Sequence, residues 1–152
     1  MASAGAGAMM KRIFTILSVI FLVGYYLIEP VLTYNQSTSE NVSMAVVAEP
    51  FIDSDKLVYR WSGDLVKSCE VSIRRRFVDS AGVVTSLISH NFDPLPVGSL
   101  GAISYEVGIS VPFNMSEGVA TYQATEVPKC SWLQRMFPKS FDYPEVKFTV
   151  TR

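Results

Sequence analysis

The apolar and polar positions change period once along this chain. From Ile13 to Leu32 the sequence IFTILSVIFLVGYYLIEPVL is almost wholly apolar, with Glu29 as its one charged residue. A helix of that run is about 30 Å long, the thickness of a bilayer's hydrocarbon core. Thr15, Ser18 and Gly24 are tolerated inside such a helix. Tyr25, Tyr26 and Tyr34 fall toward its far end, where aromatic rings suit the lipid–water boundary. Pro30 lies where a helix is about to stop. A buried core helix is shorter and keeps a polar stripe, which this run lacks.

Beyond Leu32 the period becomes two. The segments 42–48, 56–62, 69–79, 83–89, 103–111, 119–126 and 145–151 alternate apolar with polar or small residues, and Gly, Pro, Asn and Asp punctuate the gaps. Such a series predicts an all-β domain, an antiparallel immunoglobulin- or fibronectin-III-like β-sandwich, with a small barrel as the alternative. The predicted organisation is therefore a short cytoplasmic N-terminus (1–12), a transmembrane signal anchor (13–32), a polar tether (33–41) and an extracytoplasmic sandwich (42–152).

Charge supplies the orientation. Lys11 and Arg12 flank the apolar run on one side, and no Lys or Arg follows on the other until Lys56. The positive-inside rule then leaves the N-terminus in the cytoplasm of a cell or inner membrane, with the remainder periplasmic or extracellular. A cleaved signal peptide is the competing reading, but EPVLTYNQSTS has no small residues at cleavage spacing. The formal net charge of −1 provides no basic field for nucleic acid.

The two cysteines, Cys69 and Cys130, each end or adjoin a predicted strand. Outside the cytoplasm a disulfide between them is expected, against two separate thiols. No tyrosine stands two residues before Cys130, so the antibody-type pattern is absent. Asn35, Asn41 and Asn114 open glycosylation sequons, which function only in a eukaryotic secretory route.

Candidate chemistry is sparse. His90 is the one histidine, and Asp93 follows it. Serines are too plentiful for a Ser-His-Asp set to carry weight, and there is no nucleophile elbow. No catalytic residues are expected. Two distant cysteines and one histidine do not make a closed zinc site, and Asp53 and Asp55 lack the spacing of a calcium loop, so no metal and no cofactor are expected. Asp53 and Asp55 read as a polar turn.

Two segments remain. In PKCSWLQRMFPKSFDYPE (128–145), Ser131 is placed to cap one helical turn. Trp132, Leu133, Met136 and Phe137 would share a face, with Gln134 and Arg135 turned away. Trp132, Leu133, Arg135, Met136 and Phe137 form the first-choice contact for a protein partner in or outside the membrane, because aromatic, Met and Arg residues dominate interface cores. The same mix suits a membrane surface, and the plainer reading is a plug closing one end of the sandwich.

The other segment is EVSIRRRFV (70–78). Alternation turns Arg74 and Arg76 to solvent as candidate contacts for an anion, and turns Arg75 inward with Val71 and Ile73. A buried guanidinium requires either a carboxylate partner or a bulge that resets the phase. The function expected from these features is a single-pass, membrane-anchored binding protein. The alternatives are a subunit docked into a membrane assembly through its helix, an envelope enzyme using His90, and a small phage protein acting in lysis or superinfection exclusion.

Overall fold

The computed structural model of the chain describes residues 4–49, 56–96 and 98–151. Helix α1 (Ala4–Thr33) contains the apolar run. Its segment Met10–Thr33 is long and apolar enough to cross a membrane, and its side chains are almost all exposed. Thr15 and Ser18 donate back to the carbonyls of Lys11 and Phe14 one turn earlier, at 2.9 Å each, which satisfies their hydroxyls within the helix.

The rest is mostly antiparallel β-structure in two sheets. In the first, β1 (Ser39–Ala48) pairs with β2 (Lys56–Leu65), and β2 pairs with β6 (Gly101–Ser110). In the second, β3 (Val71–Val78) and β7 (Gly118–Pro128) form the centre. The short strands β4 (Val84–Ser86) and β5 (His90–Phe92) follow one another along the free side of β3. On the far side of β7 lie β8 (Phe141–Asp142) and β9 (Val146–Val150), preceded by a single-turn helix, α2 (Trp132–Met136).

Alternation explains how the sheets meet. Leu57, Tyr59 and Trp61 of β2 are buried, as are Phe77 of β3, Tyr122 of β7 and Phe148 of β9, and all belong to one apolar cluster. Tyr59 and Tyr122 touch across the sheets with centroids 5.1 Å apart, and Phe77 lies 5.4 Å from Tyr122 and 5.6 Å from Phe148. Tilted and edge-on aromatic contacts of this kind add to simple area burial. The turn at 79–82 closes as its DSAG sequence suggests. Gly82 adopts φ 81° and donates to the Asp79 carbonyl at 3.0 Å.

Several boundaries differ from the sequence reading. Strand β1 begins at Ser39, inside the expected tether. The segment 83–89 pairs only over β4 and is followed by β5 in a stretch read as loop. Strands β5 and β8 are too short to show a period of their own.

Candidate functional site

Three arrangements stand out: a collar at the end of α1, a polar knot beneath it, and a cavity between the sheets.

The collar is built by α2. Ser131 caps it as expected, its hydroxyl accepting from the Gln134 backbone N–H at 3.3 Å. The two polar residues do not share a direction, however, and only Gln134 turns inward. Gln134 is fully buried, whereas Trp132, Met136 and Phe137 are 48%, 65% and 56% exposed. Leu133 is partly buried and Arg135 exposed. The physical reason lies at the C-terminus of α1, whose last carbonyls have no partners within the helix. The Gln134 amide nitrogen donates to the carbonyls of Thr33 at 3.1 Å, Tyr34 at 3.2 Å and Gln36 at 3.4 Å. Its amide oxygen accepts from the Cys130 backbone N–H at 2.9 Å. An apolar side chain could satisfy none of these groups, so the polar residue turns inward. Trp132, Met136 and Phe137 therefore lie outward beside the end of α1 rather than closing the sandwich as a plug.

The collar is braced from the second sheet. Cys69 and Cys130 are joined by a disulfide, with Cα atoms 5.0 Å apart. Lys129 pairs with Glu70 at 2.5 Å, and Arg135 approaches the other oxygen of that carboxylate at 3.7 Å. The Lys129 hydrogen bond holds the Glu70 carboxyl below its ordinary range. Lys139 donates to the Asn35 side chain at 2.5 Å and lies 5.8 Å from the ring centroids of Tyr34 and Phe141.

The knot centres on Glu126, which is fully buried in β7. One carboxylate oxygen accepts from the Thr38 backbone N–H at 2.7 Å and its hydroxyl at 2.6 Å. The other accepts from the Ser37, Ser39 and Tyr143 hydroxyls at 2.9, 2.9 and 2.8 Å. Burial, then the neighbouring carboxylate, pushes the Tyr143 phenol up. Residues 37–39 are thus fixed to the second sheet rather than acting as a free tether. The sequence reading missed Glu126, although its signal was present. It shares the inward phase of Ala120, Tyr122 and Ala124.

The cavity has a volume of about 320 Å³. Tyr59, Trp61, Ile103 and Val107 form one wall, and Val71, Ile73, Arg75 and Phe92 form the other. Arg75 points inward as alternation requires, but neither expected remedy is present. The β3–β7 register runs without interruption from Val71 to Val78, so no bulge resets the phase. Among the described residues no carboxylate pairs with Arg75. One terminal nitrogen donates to the Ile88 carbonyl at 3.1 Å, while its buried Nε has no hydrogen-bond partner. The buried indole nitrogen of Trp61 has none either. Burial raises the Tyr59 and Tyr122 phenols, and the nearby Arg75 charge works against that rise.

The remaining candidates do not converge. Arg74 and Arg76 are exposed, and Arg76 donates to Gln123 at 2.6 Å. His90 and Asp93 line the cavity. The Asn41 side chain is hydrogen-bonded to Asp64 at 2.8 Å, and Asn114 is exposed in the β6–β7 connection. Asp53 and Asp55 lie outside the described residues. Among the described residues no cluster of His, Cys, Asp or Glu could hold a metal.

No protein-family model matches the chain, and no curated protein matches it. Among solved structures, it is similar to a chain of the Pseudomonas fluorescens alkylpurine DNA glycosylase AlkC bound to DNA containing an abasic site analog. The likeness has a TM-score of 0.42 and 10% identity, and covers 80% of this chain and 32% of that one. At that level it carries no argument about function.

Proposed function

We propose that this chain is a single-pass membrane protein whose extracytoplasmic immunoglobulin- or fibronectin-III-like β-sandwich acts by binding, without catalysis. Its anchor is residues 13–32, with Lys11 and Arg12 on the cytoplasmic side. The sandwich reading is supported by the strand order. A three-stranded β1-β2-β6 sheet faces a sheet centred on β3 and β7, and both sheets contribute to one core.

The observation that carries the reading is the exposed apolar face of α2 and its C-cap. Trp132, Met136 and Phe137 stand outward on an element tied to the end of α1 through Gln134 and to the second sheet through Cys130. Exposed aromatic and Met side chains on a rigid support are the ordinary composition of a contact site. Their position beside the exit of α1 suits a protein partner that is itself close to the membrane surface. Docking through the helix alone is less well supported, because Thr15 and Ser18 use their hydroxyls within α1.

The test is alanine at Trp132 and at Phe137. Both side chains are half exposed, so the melting temperature should change little. Association with proteins that copurify in mild detergent should be lost. Unchanged association would remove this surface from the account.

A further inference from the structure

We infer that the cavity between the sheets is a binding site for a small amphipathic carboxylate, with Arg75 holding the carboxylate and the apolar walls holding its body. No residue of α2 lines this cavity among the described residues, so the inference goes beyond the proposed contact surface and stands without it.

Two unsatisfied atoms give the chemistry. The Nε of Arg75 and the indole nitrogen of Trp61 are buried without partners, and both side chains line the cavity. Both atoms are donors only. A ligand group that satisfies either atom is therefore an acceptor. A guanidinium that is always charged and forms no ion pair with a carboxylate among the described residues makes an anion the matching acceptor. A carboxylate can take two hydrogen bonds from the guanidinium fork at once.

The walls define the rest of the ligand. Val71, Ile73, Ile103 and Val107 present apolar surface from both sheets, and Phe92 extends it outward. Lys67 adds a second positive charge to the lining and Asp93 one negative charge. The charge balance therefore favours a single anionic group over a dianion. A volume of about 320 Å³ is at the small end of ordinary ligand pockets, which suits a short acyl or aryl chain.

The experiment uses the full chain in zwitterionic nanodiscs, with empty nanodiscs as the partition blank. Octanoate, octan-1-ol and octylammonium are titrated by calorimetry, and melting temperature is followed in parallel. Octanoate should bind saturably and raise the melting temperature. Octanol and octylammonium should bind at least about tenfold more weakly, the margin expected of hydrogen bonds to a charged group. Arg75→Met should bring octanoate down to the level of octanol. Without ligand that variant should melt close to the parent, since it removes a partly buried charge that has no carboxylate partner among the described residues. Should Arg75→Met fail to fold, Arg75→Lys provides the same comparison. It keeps the charge, loses the fork, and should bind octanoate saturably but more weakly. No saturable octanoate binding, equal binding of octanol, or undiminished binding by these variants would overturn the inference.

Discussion

Arg75 and Glu126 point from adjacent strands into the same interior, yet they do not pair. Arg75 stands opposite Ala124 and Glu126 opposite Ile73, so the two charges are diagonal neighbours across β3 and β7. Diagonal partners in a sheet are about 7–8 Å apart, within reach of a long side chain. Glu126 instead takes five hydrogen bonds from residues 37–39 and Tyr143. Arg75 reaches the Ile88 carbonyl on the other side. The two inward side chains are therefore hydrogen-bonded to different neighbours.

Glu126 should be a stability residue. Glu126→Ala leaves the Thr38 N–H and several hydroxyls buried without an acceptor. It should lower unfolding free energy by about 2–4 kcal/mol, read from chemical denaturation in detergent. Glu126→Gln keeps one acceptor oxygen and should cost less. Equal stability of the alanine variant would show that residues 37–39 are not held through this carboxylate.

Gln134 should couple α1 to the β domain. Gln134→Leu matches its bulk but cannot bond the carbonyls of Thr33, Tyr34 and Gln36. Hydrogen exchange at the backbone amides of 34–38 should accelerate, while exchange in β3 and β7 stays slow. Unaltered protection at 34–38 would show that another contact holds the junction.

Acid should weaken the domain partly through Asp79. Its carboxylate accepts from the backbone N–H groups of Ala81, Val83 and Ser116 at 3.0, 2.8 and 3.1 Å. The bond from Ser116 contributes most to holding its folded-state pKa below the ordinary value. A lowered folded pKa means its stabilisation is fully present above the unfolded value of about 3.9 and is lost as pH falls through the folded value. Asp79→Asn should therefore melt below the parent at neutral pH, with the gap closing under acid. A gap that is constant with pH would assign the difference to something other than this charge.

The disulfide should matter twice. Cys69 and Cys130 are separated by 61 residues, and closing such a loop is worth about 4 kcal/mol in the chain-entropy model. Replacing both with serine should lower stability by up to that amount. It should also speed proteolysis after Arg135 at the collar. Loss of stability without faster cleavage there would mean that Glu70 and Gln134 hold α2 unaided.

Periodicity made much of the fold legible. The apolar run marked the helix, and a period of two located seven strand segments, because each buries one face. The same period marked Arg75 as inward, and could have marked Glu126. What it could not supply was partnership. A carboxylate two residues along a neighbouring strand is the obvious mate for an inward arginine until the hydroxyls of 37–39 fold over it. The inward turn of Gln134 was hidden for a related reason: the carbonyls of Thr33, Tyr34 and Gln36 that its amide bonds are distant from it in sequence. Strands β5 and β8 contain three and two residues, too few to express any period.

The most direct test of the account is photo-crosslinking from α2 in native membranes. A benzophenone amino acid at Met136, which is 65% exposed, samples whatever lies against the collar. The same group at Phe113, 85% exposed in the β6–β7 connection, is the control. The account predicts a discrete protein adduct from position 136, lost on Trp132→Ala, and none from position 113. Adducts with lipid alone, or the same protein adduct from both positions, would contradict it.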